Sequence, residues 1–268
     1  MKSLLDFFNK NIFNTPINSL IEIPCRIINK LIHTLQIPPN GFGRYHANNF
    51  ISSCAKKYDL KNKKLLDVGA GHQPYKAYFK NCIYESCDNE EVISDIKYDI
   101  ANAKHTFNAD INKNIPREDE YYDLVLCSEV LEHVYNPLNV ISEISRILKK
   151  DGILILTVPQ SSGEHMLPHN YFNYLKNGVK YLLEKNNFKI ESIEASCGIF
   201  HVMGNVLNKM INFIFGNLNI FFRTILFPLE LVLRIIVSLI NILLFILDRF
   251  DKEKKWTLTY LCIAKKIS

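Results

Sequence analysis

Glycine and proline are scarce in this chain of 268 residues, ten of each, and a turn-rich all-β fold would need more of both. Cysteine occurs seven times, at Cys25, Cys54, Cys82, Cys87, Cys127, Cys197 and Cys262, with no CxxC pair and an odd count. That pattern excludes a disulfide framework or a paired zinc knuckle, and no metal site is expected. Cys127 in DLVLCS and Cys262 in YLCIA read instead as small hydrophobes inside apolar runs. A strong charge of one sign is also missing: the net +5 is mild for this length and does not mark a nucleic-acid binder. No internal repeat or low-complexity tract is visible. The uncharged run IIVSLINILLFIL, residues 235–247, is shorter than the roughly 20 residues that span a bilayer. The opening MKSLLDFFNKNIFNTP is basic, but polar residues break its apolar run and no small-residue cleavage site follows. It is not a secretory signal, and a cytoplasmic compartment is expected.

What the chain does contain is apolar and aromatic. A hydrophobic share of 48%, with 17 Phe and 13 Tyr, rules out a disordered or collagen-like polypeptide. The positive charge is unevenly placed. Lys2, Lys10, Arg26 and Lys30 outnumber Asp6 and Glu22 in residues 1–40, and Lys209, Arg223, Arg234, Arg249, Lys252, Lys254 and Lys255 outnumber four acids in residues 201–255. The rest of the chain is neutral. Basic excess confined to the segments richest in Ile, Leu and Phe is the composition of a surface that meets anionic lipid.

After residue 40, short apolar runs alternate with helical patterns, which predicts an α/β fold with a parallel sheet. Strands are expected at Lys64–Val68, Cys82–Cys87, His105–Ala109, Asp123–Ser128, Gly152–Val158, Phe188–Ala195 and Trp256–Lys265. Helices are expected at Asn136–Lys149, with Lys149-Lys150-Asp151-Gly152 as its stop, and at Tyr171–Lys185. Residues 17–36 carry apolar side chains at helical spacing, broken by Pro24. Three parts follow: N-terminal amphipathic helices (1–40), an α/β domain (41–200 plus 255–268), and an apolar helical insertion (201–254).

The richest stretch is Lys64-Leu65-Leu66-Asp67-Val68-Gly69-Ala70-Gly71. A strand ending in Asp, with glycines two and four residues on, suits a sharp turn whose backbone lies against a ligand. A GxGxxG dinucleotide fingerprint is excluded, because Pro74 stands where the third glycine belongs. Asp88 closes the second strand, where an acid in nucleotide-binding α/β folds accepts from ribose hydroxyls. Asp110 ends the third strand, within reach of an adenine amine, and Asp123–Ser128 followed by Glu129-Val130-Leu131-Glu132-His133-Val134 sets polar side chains at the sheet's carboxyl edge.

Together, LLDVGAG (65–71), Asp88, Asp110, SEVLEHV (128–134) and LKKDGILILTVP (148–159) resemble the class I S-adenosylmethionine-dependent methyltransferases, over residues 45–200 plus the last strand. The resemblance implies a Rossmann-like seven-stranded sheet with an antiparallel last strand. It places Asp67, Gly69 and Gly71 at the methionine end of S-adenosyl-L-methionine, Asp88 at the ribose, Asp110 and Ile111 at the adenine, and Cys127, Ser128 and Glu129 toward the sulfonium. Unpaired carboxylates suit a cationic sulfonium better than anionic NAD.

The segment Gly163-Glu164-His165-Met166-Leu167-Pro168-His169-Asn170-Tyr171-Phe172 resembles the HxxPHDYYRFT block of methyltransferases encoded with surface-polysaccharide genes, where it borders the acceptor pocket. Asn170 and Asn173 replace the usual Asp and Arg. Pro168 opposes the helix that HxxxH metal ligation would use. For a hydroxyl acceptor the candidate bases are His133, His165 and His169. The apolar insertion lies between strands six and seven, so the chain must return to the same side, and Asn205, Asn208, Lys209 and Asn212 oppose a span over 202–222. An interfacial helical hairpin is expected, with a soluble cap packed on residues 17–36 as the other arrangement. The expected activity is O-methylation of a saccharide or lipid-linked glycan precursor at the cytoplasmic membrane face. Methylation of a lipid or quinone, or a non-catalytic membrane scaffold that keeps the cofactor, are the alternatives, and nucleic acid is not an expected partner.

Overall fold

The computed structural model describes residues 42–95 and 103–267; the helical pattern expected over 17–36 lies outside them. Seven strands form one sheet in the order β3-β2-β1-β4-β5-β7-β6. They are β1 (Lys64–Val68), β2 (Ile83–Asp88), β3 (Phe107–Asn108), β4 (Tyr122–Ser128), β5 (Leu148–Pro159), β6 (Phe188–Ala195) and β7 (Thr259–Lys266). β1 pairs in parallel with β2 and β4, β4 with β5 likewise, and β7 runs antiparallel between β5 and β6. The expected Rossmann-like methyltransferase sheet, with its antiparallel last strand, is present.

The central strands are apolar on both faces, as strands covered by helices on both sides must be. Side chains alternate along each strand. Leu66, Val68, Val125 and Cys127 therefore enter one core, with Val140, Ile141, Ile144 and Ile147 of helix α3 (Pro137–Ile147) and Val179, Leu182 and Leu183 of α4 (Lys176–Glu184). Leu65, Leu124 and Leu126 enter the other, with Ile51, Cys54 and Ala55 of α1 (Phe42–Tyr58) and Tyr75 and Phe79 from the β1–β2 connection. A short helix α2 (Glu90–Asp95) follows β2.

Two helices are shorter than their sequence patterns suggest. α3 starts with Pro137 in its first turn and Asn136 capping the Asn139 amide, but it stops at Ile147 instead of Lys149. Leu148 is already extended and pairs with Tyr122, so sheet pairing overrides helix propensity and the Lys-Lys-Asp-Gly stop becomes part of β5. Asp151, at φ +63°, takes up the irregular register there. The pattern expected as a helix from Tyr171 becomes one only at Lys176. Before it, Tyr171 N–H donates to Glu132 O (2.7 Å), Tyr174 N–H to Pro159 O (2.8 Å) and Tyr174 O–H to Leu131 O (2.7 Å). Those bonds hold 171–175 along the carboxyl edge of the sheet. The expected strand from Trp256 begins at Thr259, because Thr257 N–H donates instead to Gln160 Oε1 (2.6 Å).

The chain divides into two compact units, one formed by residues 43–202 and 248–268, the other containing Met203–Leu247. The second holds most of α5 (Ile199–Gly216) and all of α6 (Ile220–Leu247). These helices run antiparallel and are joined by polar groups. Asn241 Nδ2 donates to Asn208 Oδ1 (3.2 Å), and Arg234 bridges Glu230 (2.7 Å) and Asn212 (3.1 Å). At Gly204 a Cβ would come within 2.5 Å of Asn241 Oδ1, so the absence of a side chain permits the close approach. The outward positions are large and apolar, among them Met210, Phe213, Phe222, Ile225, Leu239 and Leu243, each about half exposed or more. Within Ile225–Phe250 an 18-residue window reaches a mean hydropathy of 2.5 with little burial.

Ile144 is fully buried in the first core. Ile144→Ala is expected to destabilise the protein by about 2–5 kcal/mol through lost burial and a residual cavity. Urea unfolding should show a lower midpoint at an unchanged slope.

Candidate functional site

The carboxyl ends of β1 and β4 lie side by side, Val68 opposite Cys127. After β1 the chain turns through Gly69 at φ +63° and Gly71 at φ +49°, conformations that cost an L side chain energy. A Cβ on Gly69 would also lie 2.6 Å from Val130 Cγ2. The turn is fixed to the end of β2: Gly71 N–H donates to Asp88 Oδ2 (2.7 Å) and Ala70 N–H to Cys87 O (3.2 Å). Asn89 N–H donates to Asp88 Oδ1 (2.8 Å), which holds this carboxylate at the rim of the loop with lone pairs to spare for hydroxyl donors.

Asp67 is buried, and its carboxylate accepts from Tyr84 O–H at 2.6 Å. Burial pushes its pKa up to about 7, against the opposing Tyr84 hydrogen bond and with the nearby Asp88 charge adding to the rise. Two more carboxyl groups lie close by. Glu129 ends β4 at φ +54°, with Oε1 buried and without a hydrogen-bond partner. Burial raises its pKa, and Thr157 and Arg44 draw it back in part. Glu132 is buried with Oε2 likewise unpartnered, and burial and then the Glu129 charge push it well above the carboxylate range. The Cys127 thiol feels all three acids. A strained backbone and buried, under-paired carboxyls at one sheet edge mark a place built for a cation.

Ser128 Oγ lies 2.9 Å from Thr157 Oγ1 and 3.3 Å from Tyr75 O–H, a hydroxyl chain facing the second core's side of the sheet. Cys127 points the other way. Its side chain is fully buried in the first core, on the face of the sheet opposite Ser128. Asp110 is only partly free: its carboxylate accepts from Asn112 N–H (3.1 Å) and pairs with Lys113 (3.1 Å), while Ile111 is buried beside it.

The histidines converge. His133 Nδ1 lies 2.6 Å from His169 O, and the His133 and His165 rings meet edge to face at 4.8 Å between centroids. A carbonyl oxygen only accepts, so Nδ1 carries the proton and Nε2 keeps its lone pair. Burial lowers the His133 pKa, which keeps the ring neutral. His165 is exposed, with Nδ1 3.0 Å from Gly163 O. Asn173 donates to Ser162 O (2.9 Å) and so closes the same loop. Glu132, His133 and His165 also bring one ligand atom each within 4.8 Å of one another, a spacing that could hold a metal ion where none was expected from sequence. Tyr84, Tyr75, Thr157 and Glu132 also lie at this edge, and only Glu132 has a local signal in the sequence, an acid inside the apolar run VLEHV.

A mixed sheet of this order with an antiparallel last strand, an acid-and-glycine turn after β1 and an acidic residue closing β2 defines a Rossmann-like methyltransferase that uses S-adenosyl-L-methionine. Residues 41–193, more than half of the chain, match the profile of the methyltransferase-domain family. The chain belongs to that family. It is 34% identical to an uncharacterised protein of Methanocaldococcus jannaschii over 148 residues, 54% of this chain and 61% of that one. It is 39% identical to a ubiquinone biosynthesis O-methyltransferase of Glaesserella parasuis over 51 residues, 19% of this chain and 22% of that enzyme. The chain thus spans less than two thirds of the length of these curated relatives. Among solved structures, the cyclase SpnF shares the fold at 16% identity with a TM-score of 0.51, covering 81% of this chain and 80% of that one.

The site fits the cofactor. The glycine turn would leave room for its methionine end, Asp88 would accept from the ribose hydroxyls, and the buried acids Asp67 and Glu129 would offset its positive charge. Cation binding favours ionised Asp67, so affinity should rise as pH rises through about 7. Without cofactor, the raised pKa makes Asp67's contribution to stability fully present below about pH 4 and lost as pH rises through about 7. Tyr84→Phe removes the hydrogen bond that favours the ionised acid. Calorimetric titration with S-adenosyl-L-methionine across about pH 5.5 to 8.5 should show the affinity rise moved to higher pH in the variant.

Proposed function

We propose that this chain transfers the cofactor's methyl group to a hydroxyl oxygen of a membrane-borne acceptor, with His133 as general base. The tautomer of His133 carries the reading. Its Nδ1–H is engaged by His169 O, which leaves Nε2, 3.7 Å from Glu132 Oε1, as the ring nitrogen with a lone pair to accept a proton. The cofactor supplies a methyl group activated by positive sulfur, open to in-line attack. As the acceptor C–O bond forms and the carbon–sulfur bond breaks, Nε2 takes the hydroxyl proton. Alignment and exclusion of water supply most of the remaining acceleration, through the Gly69–Gly71 turn and the bonded 171–174 segment. His165 borders the acceptor. His169 contributes its backbone carbonyl, which makes it a positioning residue for His133.

Tyr135, Tyr171 and Phe172 are exposed and cluster edge to face and tilted, with centroids 6.3 and 6.4 Å apart, which offers an aromatic surface to a cyclic acceptor. A saccharide of a lipid-linked glycan precursor suits both that surface and the polar Asn170 and Asn173. The short likeness to ubiquinone O-methyltransferases favours a second reading, a quinone ring on the same aromatic surface. Both acceptors live in membranes, and the α5–α6 hairpin supports that location. Glu230 and Asn241 are buried within it, while a large set of apolar side chains, Phe213, Phe222, Leu239 and Leu243 among them, is exposed on its outside. α6 is long enough to cross a bilayer, about 42 Å, but β6 before the hairpin and β7 after it pair in one sheet. A single crossing is therefore excluded, and Asn205, Asn208, Lys209 and Asn212 on α5 make a second span costly. The hairpin lies in the interface of the cytoplasmic leaflet, with Arg249, Lys252, Lys254 and Lys255 at the headgroups.

His133→Gln should lower kcat by about 10²–10⁴-fold with little change in cofactor affinity, whereas His165→Ala should act mainly on acceptor KM. Unchanged kcat in His133→Gln contradicts the assignment. In flotation with vesicles containing anionic lipid the protein should rise with the membrane at low salt, and replacing Phe213 and Phe222 by Ser should leave it at the bottom.

A further inference from the structure

A second group of metal-type ligands lies away from the histidines of the proposed acceptor site. It is assembled from two parts of the α/β unit distant in sequence. His46 projects from the first turns of α1, and Cys197 and His201 flank the junction where β6 ends and α5 begins. One ligand atom from each lies within 4.8 Å of the other two. The His46 and His201 ring centroids are 5.3 Å apart. Cys197 is a free, buried thiol, and His201 is buried. His46 Nε2 is buried without a hydrogen-bond partner.

The surroundings hold these side chains in place. Asp248 Oδ2 accepts from Gly198 N–H (2.8 Å) and Oδ1 from His201 N–H (3.1 Å), while Asp251 Oδ2 accepts from Ile199 N–H (2.9 Å). The two acids thereby cap the N-terminus of α5. Gly198 must be glycine for this, since a Cβ there would come within 2.5 Å of Asp251 Oδ2 and 2.9 Å of Asp248 Oδ1. Asp248 Oδ2 also lies 3.1 Å from His201 Nδ1. A carboxylate behind one ring nitrogen is the arrangement that orients a histidine ligand and turns its other nitrogen to a metal. Thr257 Oγ1 accepts from Cys197 N–H (3.1 Å) and sits 3.7 Å from its sulfur, which fixes the thiol's position.

We propose that His46, Cys197 and His201 bind a divalent transition-metal ion of the zinc class, with Asp248 orienting His201. Two imidazoles and one thiolate are the donor set that zinc takes, and three protein ligands leave a fourth tetrahedral position for water. Tetrahedral ligands at zinc bond lengths stand roughly 3.3–3.7 Å apart, so the three side chains need only small rotations to close on the ion. Binding forms a metal–sulfur bond, and the Cys197 thiol proton leaves to solvent. The ion ties the start of α1 to the end of β6, two segments that no strand pairing joins.

The test uses full-length protein without a histidine tag, dialysed against metal-free buffer, loaded with zinc or cobalt(II), and analysed for bound metal. A single equivalent of zinc is expected. The cobalt form should show the near-ultraviolet charge-transfer band of a thiolate ligand, and that band should disappear in Cys197→Ser. Zinc should fall well below stoichiometry in Cys197→Ser and His46→Gln but persist in His165→Ala, which separates this site from the Glu132, His133 and His165 group. Folded wild-type protein that retains no zinc overturns the proposal. So does a cobalt form without the thiolate band, or zinc lost in His165→Ala and kept in Cys197→Ser.

Discussion

Taking a carboxylate out of water without a cation beside it is among the costlier things a fold can do. Here it is done at Asp67, Glu129 and Glu132, all within one edge of the sheet. Burial pushes all three acids toward the protonated form, which lowers that cost in the absence of a cation. Much of the local architecture follows from that constraint. Tyr84 reaches across from β2 to give Asp67 a hydrogen bond, Glu129 adopts a left-handed backbone to end β4, and the glycine turn keeps side chains clear of the space in front of the acids. A ligand carrying positive charge relieves the burden, and the sulfonium of the cofactor brings that charge to the carbon that reacts.

The rest of the molecule serves that edge. The two apolar faces of the sheet are sealed by α1 on one side and by α3 and α4 on the other, which leaves the carboxyl ends of the strands as the place where polar groups collect. The segment after β5 is bonded back to Glu132, Leu131 and Pro159, and it carries the histidine loop to the same edge. The α5–α6 hairpin interrupts the path from β6 to β7 without disturbing the sheet. Its buried face mixes Glu230 and Asn241 with Ile211, Phe215 and Leu244, while Phe213, Phe221 and Phe222 are exposed, a pattern in keeping with the proposed lipid-facing role.

Much of this was legible in the sequence where the signal is local. β1 and β6 were delimited correctly because short apolar runs bounded by polar or turn residues have few other solutions. Asp67, Gly69, Gly71 and Asp88 stood out because their spacing reflects one strand, one turn and the next strand. Errors arose where tertiary pairing outweighed local preference. Leu148-Lys149-Lys150 continues a good helical pattern, yet β4 recruits it as strand, and Tyr171–Leu175 is drawn to the sheet edge by three hydrogen bonds. Side-chain direction depends on strand alternation: Cys127 and Ser128 are neighbours on β4, yet the Cys127 side chain enters the first core. Contacts that depend on register or on distant segments left no trace at all. Tyr84 meets Asp67 because β1 and β2 pair as they do, and His46 meets His201 because the start of α1 lies beside the junction of β6 and α5.

The central claim, that the site stores protons on buried acids until a cation replaces them, is open to one direct measurement. Titrating S-adenosyl-L-methionine into the protein by calorimetry at about pH 6.5, in buffers of different ionisation enthalpy, gives the number of protons exchanged on binding. The account predicts net proton release, diminished in Asp67→Asn. Proton uptake, or a heat independent of buffer, would contradict it.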